Sequence, residues 1–352
     1  MKKIVVFGAT GNVGSYLTKY ANEFFDKEEY EVIAVGRRPK AEVFSKMGIQ
    51  YYSVDVTKPE DFSKLPTENV HAVMLLAAQI PSYMDKYDGG LYLSSITIGA
   101  YNVLEWCRKV AADRVIYTQT VFDVSLAAGP GKLLAPDTPP AFSYTGDHAM
   151  YVIAKNAALE IMEHYWQEYG IKKFVFRLPT IYSYSPYHYY YPNGKKTKRP
   201  VYTMIERAMA GETLEVWGDP EYSKDMVYVD DFSQELCLAA LADRSGGFYN
   251  IGTGAPVTLR EQVETIADVF APESGRSEVI YRPELPSGGG FLMDVRNAKE
   301  ELGYEPKYGC RELFEAYKAE MEVDRFAELR LGGGSKVGVD PSVRRAPVLR
   351  AA

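Results

Sequence analysis

Short apolar runs alternate with stretches of helical periodicity from the first residues onward. Ile4 to Phe7, Glu31 to Val35, residues 50–54, His71 to Ala77, Arg114 to Thr118 and Phe174 to Arg177 each read as a strand, being brief, mostly apolar and rich in β-branched residues. Between them lie helical patterns. Val13, Tyr16, Leu17 and Tyr20 form the first, and longer ones cover about 92–110 and 148–169. This alternation predicts an α/β fold built on a doubly wound parallel sheet with right-handed crossovers. A ligand of such a sheet binds beyond the carboxyl ends of its strands. Residues 125–147, rich in Gly, Pro, Ala and Ser, read as a loop over that edge.

After residue 177 the pattern loosens. It predicts a helix over 201–211, a short strand from Met226 to Val229, and a helix over about 231–242 capped by Asp230 and Asp231. A strand from Phe248 to Ile251 ends in Gly252-Thr253-Gly254. Thr258 and Glu261 have the spacing of a capping box. Arg296 to Gly303 and Arg311 to Met321 read as closing helices. Beyond Leu331 the chain runs through Gly332-Gly333-Gly334-Ser335 into a basic, unpatterned stretch, so 332–352 are expected to be a disordered tail. No internal repeat is evident.

The turn Gly8-Ala9-Thr10-Gly11-Asn12-Val13-Gly14 stands where the first strand gives way to the first helix. Gly8 allows the tight turn. Gly11 lets backbone approach a ligand with no Cβ in the way, and Gly14 lets the helix pack close to the strand. The free N–H groups and dipole of that helix start suit a pyrophosphate. A Rossmann-type dinucleotide site follows. At the end of the second strand, where an acid would bind the adenosine ribose hydroxyls, stand Arg37 and Arg38. Two arginines can pair with a 2′-phosphate, which favours NADP over NAD; two solvated arginines after a strand would read the same.

Tyr151 and Lys155 lie four apart on a predicted helix and so share a face. A phenol with its ordinary pKa near ~10 is a poor base at neutral pH. A neighbouring ammonium favours the phenolate, as would a positively charged nicotinamide ring. Such a tyrosine can take a proton from an alcohol while hydride leaves the same carbon. The pair follows the fifth strand, behind the loop, with Thr120 at that strand's end.

Composition narrows the partners. The chain of 352 residues is 46% hydrophobic and 25% charged, with room for one large domain or two smaller ones. A formal charge of −7 offers no basic field to hold nucleic acid. No apolar run approaches the ~18 residues of a membrane span. Met1-Lys2-Lys3 leads straight into a strand, so no signal peptide is expected. Cys107, Cys237 and Cys310, odd in number and far apart, read as reduced, mostly buried thiols of a cytoplasmic protein. His71, His148, His164 and His188 lack metal-ligand spacing and read as surface or core residues, so no metal site is expected.

Further motifs accompany the glycine turn: Asp55-Val56 after the third strand, Leu76-Ala77-Ala78 after the fourth, and Val115 to Thr120 at the fifth. Then come Tyr151 to Lys155 with Glu160, Arg177-Leu178-Pro179, Tyr228 to Asp231, and Tyr249 to Gly254. Over about residues 1–320 the chain resembles the extended short-chain dehydrogenases/reductases, also called the NAD-dependent epimerase/dehydratase family. The resemblance implies an NAD(P)-binding domain of residues 1–177 plus about 226–252. A smaller C-terminal substrate-binding lobe would comprise 178–225 and 253–330. It implies that Tyr151 is the acid/base, that Lys155 lowers its pKa and holds the nicotinamide ribose, and that Thr120 bonds the reacting oxygen. Asp55 and Val56 would meet the adenine, and Leu76, Ala77 and Ala78 would line the cofactor channel. Pro179 would approach the nicotinamide amide. Gln79, Thr180, Tyr182, Lys224 and Arg282 join Thr120 as the implied substrate contacts. A homodimer through the stretches 92–110 and 148–169 is implied as well.

Departures from the family pattern restrict the reaction. Sugar dehydratases carry an Asp-Glu pair after the threonine; here Val121 and Phe122 stand there, and apolar groups cannot shuttle a proton. Thr180 replaces an Asn that often holds the substrate pyrophosphate, and Lys224 replaces an Arg. Neither forks as Arg does. Six tyrosines, Tyr182, Tyr184, Tyr187, Tyr189, Tyr190 and Tyr191, either stack on a sugar or base or pack a small lobe. Lys195, Lys196, Lys198 and Arg199 either steer an anion or form a solvated loop. The leading expectation is a nucleotide-sugar C4 epimerase. The alternatives are a net NADP(H)-dependent reductase or dehydrogenase of a keto-sugar, ketone or alcohol, and a non-catalytic cofactor-binding relative.

Overall fold

Ile4 and Val6 face one side of the first strand, Val5 and Phe7 the other, and all four are fully buried. A strand buried on both faces needs cover on both sides. The computed structural model describes residues 1–330 apart from 85, 186–187, 193–194 and 287, and shows that cover. The expected tail and Tyr187 lie outside the described residues.

The central sheet has seven strands: β1 (Lys2–Phe7), β2 (Tyr30–Gly36), β3 (Gln50–Ser53), β4 (Val70–Leu75), β5 (Arg114–Thr120), β6 (Lys172–Leu178) and β7 (Gly246–Asn250). Their order is β7-β6-β5-β4-β1-β2-β3, and every pairing is parallel. The order reverses between β1 and β4, the switch point where an open α/β sheet has a crevice. The helices are α1 (Asn12–Phe24), α2 (Glu42–Lys46), α3 (Gly89–Tyr92), α4 (Gly99–Lys109), α5 (Ala149–Tyr169), α6 (Pro200–Met209), α7 (Val229–Leu241), α8 (Leu259–Val269), α9 (Arg296–Leu302) and α10 (Cys310–Val323). Tyr16 and Leu17 of α1 and Phe232 and Leu236 of α7 pack with Ile4 and Val6. Val103 and Leu104 of α4 and Ala154 and Ala158 of α5 pack with Val5 and Phe7. Cys107, Cys237 and Cys310 are buried and unbridged. No helix among the described residues is long and apolar enough to cross a membrane.

Two elements differ from the sequence reading. The helix expected over 92–110 begins earlier, at α3, and reaches α4 through a π-helical segment, Leu93–Ile98. Asp88 starts it by accepting the Gly90 N–H at 2.9 Å. Asp230 and Asp231 do not cap the next helix, which begins at Val229. Asp231 instead accepts the N–H groups of Lys307 at 2.8 Å and Tyr308 at 3.1 Å, tying α7 to the chain before α10. A carboxylate in a first turn satisfies whichever donors lie nearest, and here those are tertiary. The capping box at Thr258 forms as read, its Oγ1 accepting the Glu261 N–H at 3.0 Å.

The loop after β5 is pinned to the carboxyl edge from below. Arg177, at the end of β6, is 2% exposed and pairs with Asp123, also 2% exposed, with Nε to Oδ1 at 3.0 Å. Its other nitrogens donate to the carbonyls of Pro136 at 3.0 Å and Thr138 at 3.3 Å. Leu133–Leu134 also pairs with Leu292–Met293.

Candidate active site

The glycine turn has the geometry its sequence requires. Gly8 has φ +89°, and a Cβ there would lie 2.8 Å from the Ala77 backbone nitrogen, just past β4. A Cβ on Gly14 would lie 2.1 Å from the Gly8 carbonyl oxygen. No side chain caps α1, and its first turn holds no acid, so its N–H groups remain donors for an anion. Thr10 packs against Gly36 at the end of β2, where any Cβ would lie 2.6 Å from Thr10 Oγ1. Val13 packs against the core, while Asn12 donates to Ser183 Oγ at 2.8 Å. These residues fit a dinucleotide.

Around the turn, Asp55 accepts the Thr57 N–H at 3.0 Å and hydroxyl at 2.9 Å. The Val56 carbonyl accepts from Asn102 at 2.8 Å. Leu76, Ala77 and Ala78 follow β4 directly, at the switch point, and are partly buried. Gln79 follows them, its N–H donating to Ser95 Oγ at 3.2 Å. Arg37 is exposed beyond β2 and Arg38 partly so, its carbonyl accepting from the Tyr51 hydroxyl at 2.7 Å.

The chemistry gathers at the end of β5. Thr120 is its last residue, and Tyr151 of α5 lies near enough for the Thr120 side chain to lower its pKa. Lys155, one turn further along α5, lies between that helix and the sheet. Its Nζ donates to the Thr118 carbonyl at 2.6 Å and sits 4.7 Å from the centre of the Tyr117 ring. Burial pushes Lys155 down to about 7. Burial also pushes the Tyr151 phenol up to about 12, against the lowering effect of the Thr120 side chain. In the protein alone the amine thus serves Thr118, and the phenol is held protonated rather than activated. The positive charge expected to lower it has to come from a cation placed beside it.

Pro179, Thr180 and Lys224 line a cavity of about 480 Å³ with Phe122, Gly290 and Phe291. The Lys224 stem lies against Gly290, where a Cβ would come within 2.5 Å of it. Two expected substrate contacts lie elsewhere. Tyr182 is buried in the core beside Tyr228, its partner in a short parallel bridge. Arg282 pairs with Trp217 in a separate two-stranded ladder and faces Glu215 at 3.9 Å. Of the other tyrosines, Tyr184 packs edge-on against Tyr317, while Tyr189 and Tyr190 lie under Lys196 and Arg199. Lys198 pairs with Glu206. Of the histidines, His71 bonds the Ala240 carbonyl at 2.9 Å. His148 packs at a tilt against Phe122, ring centres 4.1 Å apart, and lies 6.4 Å from the Tyr151 ring, centre to centre. Tyr92 flanks Tyr151 at 5.9 Å and was likewise not anticipated. For His148 the signal was its place three residues before Tyr151, on the same helical face.

Curated relatives span the chain. A putative UDP-glucose 4-epimerase of Methanocaldococcus jannaschii is 23% identical over 317 residues, covering 88% of this chain and 95% of that protein. UDP-glucuronic acid decarboxylase 6 of Arabidopsis thaliana is 27% identical over 323 residues, covering 88% and 86%. Among solved structures, the UDP-glucose 4-epimerase of Thermotoga maritima, crystallised with UDP-glucose, superposes with a TM-score of 0.71 at 24% identity, covering 90% of this chain and 99% of that one. The model of the NAD dependent epimerase/dehydratase family matches residues 4–252, so the glycine turn, the seven-stranded sheet and the Tyr151–Lys155 helix are those of a member of that family.

Proposed function

We propose that this enzyme epimerises a nucleotide-activated sugar at C4 through a transient 4-keto intermediate. The observation that carries the reading is the contact of Tyr151 with Thr120 at the carboxyl end of β5, next to the crevice headed by the glycine turn. The turn from Gly8 to Gly14, with Asp55, Val56 and Leu76 to Ala78, would hold NAD+, which would supply a reversible hydride acceptor at the sugar carbon. Thr120 holds the reacting oxygen. Tyr151 takes the hydroxyl proton as the ketone forms and gives it back as the alcohol is restored. Lys155 holds the ribose and, charged, favours the phenolate. The keto sugar turns over in the cavity, while Lys224 and Thr180 at its wall bind the pyrophosphate. Residues 178–225 and 253–330 make the lobe that closes on the sugar, and two copies join through α4 and α5 in the cytoplasm. Phe122, which cannot carry a proton, argues against water elimination at this site.

The test is interconversion of UDP-glucose and UDP-galactose by the purified protein, with no net change at 340 nm. Epimerisation with constant absorbance supports the proposal. Steady consumption of NADPH with a ketone would replace it with the second reading, a net reductase, which Arg37 and Arg38 favour by offering a 2′-phosphate two cations.

A further inference from the structure

His148 has no role in the reaction as proposed, yet it occupies a defined place beside its central phenol. It precedes α5, following a turn through Gly146 at φ +89°. Its Nδ1 lies 2.6 Å from Asp147 Oδ1, which fixes the ring's orientation and leaves Nε2 as the exchanging nitrogen. Among the described residues no hydrogen bond is made to Nε2. The ring packs at a tilt against Phe122, which lines the cavity, and meets the Tyr151 ring edge-on with 6.4 Å between ring centres. About a third of the side chain is exposed, at 35%.

The other groups facing this phenol cannot pass a proton outward. Lys155 is buried on the sheet side against Thr118. Asp123 is buried and bound to Arg177. Tyr92 is 1% exposed, and burial pushes its phenol up to about 12. Tyr117 is buried, and burial pushes its phenol well above the ordinary value. Tyr151 itself is 9% exposed, so its proton needs a route to solvent whenever it ionises.

We infer that His148, oriented by Asp147, is the proton relay between Tyr151 and solvent. When the phenol ionises, its proton passes to Nε2, through a bridging water where the two atoms do not meet directly. Nδ1 keeps its own proton toward the Asp147 carboxylate, and the imidazolium then releases the Nε2 proton to bulk water. No electrons move, and one proton leaves for each phenolate formed. His148 is a positioning and relay residue here and does not touch the reacting carbon. The inference rests on Tyr151 being the acid/base.

The test follows phenolate absorbance after a rapid pH jump on the full protein saturated with NAD+, taking the difference from Tyr151→Phe to isolate residue 151. The wild type should show a fast phase. His148→Gln should slow it at least tenfold, and imidazole added to His148→Ala should restore it, which a merely structural role would not allow. Asp147→Asn should slow it less. A His148→Gln trace that superposes on the wild type, or no rescue of His148→Ala, overturns the relay. If no absorbance assignable to Tyr151 appears up to pH ~10, the ordinary phenol range, the acid/base assignment falls instead.

Discussion

Lys155 donates to the Thr118 carbonyl at 2.6 Å, from a position where its side chain is 4% exposed. A buried ammonium with no carboxylate beside it is costly, and burial accordingly lowers its pKa from 10.5 to about 7. In the unfolded chain this group holds its proton up to the ordinary value. Between the two values the unfolded state binds more protons, so stability rises with pH across that window. Below it the folded protein carries the charge and the whole penalty. Lys155→Met should therefore melt higher than wild type at pH 6–7, by a few kcal/mol in order of magnitude, and the advantage should shrink toward pH 10. Its activity should be lost. Thermal melts across pH check this; a variant less stable than wild type at pH 6 contradicts it.

Tyr151→Phe should cut turnover by ~10³-fold or more while NAD+ still binds, because only the proton-carrying atom is removed. Thr120→Val should lower kcat by ~10–100-fold and leave KM within about threefold, as expected for a group that acts on the reacting oxygen. Steady-state kinetics with UDP-glucose, paired with NAD+ titration, read both. Full activity in Tyr151→Phe would remove this residue from the mechanism.

Arg37 and Arg38 stand at the end of β2, next to the Thr10–Gly36 contact. If they hold a 2′-phosphate, the double variant Arg37→Ala/Arg38→Ala should weaken NADP+ by at least ~10-fold, about the loss of one or two charge-assisted bonds, and leave NAD+ unchanged. Calorimetric titration with both dinucleotides decides between them. Equal affinities in both proteins would mean that the arginines are solvated and the enzyme uses NAD.

Gly14→Ala places a methyl on the Gly8 carbonyl, at a separation of 2.1 Å before relaxation. Both atoms belong to backbone, so the strand-to-helix turn must open. A loss of about 3 kcal/mol of stability is expected, with NAD+ affinity falling further than stability does. Denaturant unfolding with and without NAD+ separates the two effects.

Asp123→Asn leaves Arg177 charged and buried without its partner. This should cost roughly 3–5 kcal/mol, more than any exposed ion pair of this protein could supply. It should also loosen the chain over 133–138, raising proteolysis there. Urea titration and limited digestion measure the two; wild-type values in both would show that the carbonyls of Pro136 and Thr138 suffice for Arg177.

The sheet was readable in the sequence because its inner strands are buried on both faces, so Ile4 to Phe7 and Phe174 to Phe176 stand out as unbroken apolar runs. The glycine turn was readable because backbone contact leaves no choice of residue at positions 8 and 14. The π-helical segment was not: Leu93 to Ile98 has ordinary helical composition, and the wider turn is set by packing against α5, where Thr97 bonds the Ala154 carbonyl at 3.1 Å. Arg282 and Tyr182 fall outside the cavity lined by Thr180 and Lys224, because motif position says nothing of which way a short bridge strand faces. The state of Lys155 was invisible too. Spacing placed it near Tyr151, but which acceptor its ammonium reaches depends on the depth of the groove between α5 and β5.

Asn12 bonds Ser183, and the Tyr16 hydroxyl bonds the Tyr184 carbonyl at 3.2 Å, so α1 is stitched to the segment that follows β6. The halves of this molecule are therefore not interchangeable parts. A chimera that keeps residues 1–177 and imports the remainder from a relative inherits an α1 whose outer stitches have lost their counterparts, and transplanting a new specificity here requires carrying residues 183 and 184 along with the native glycine turn.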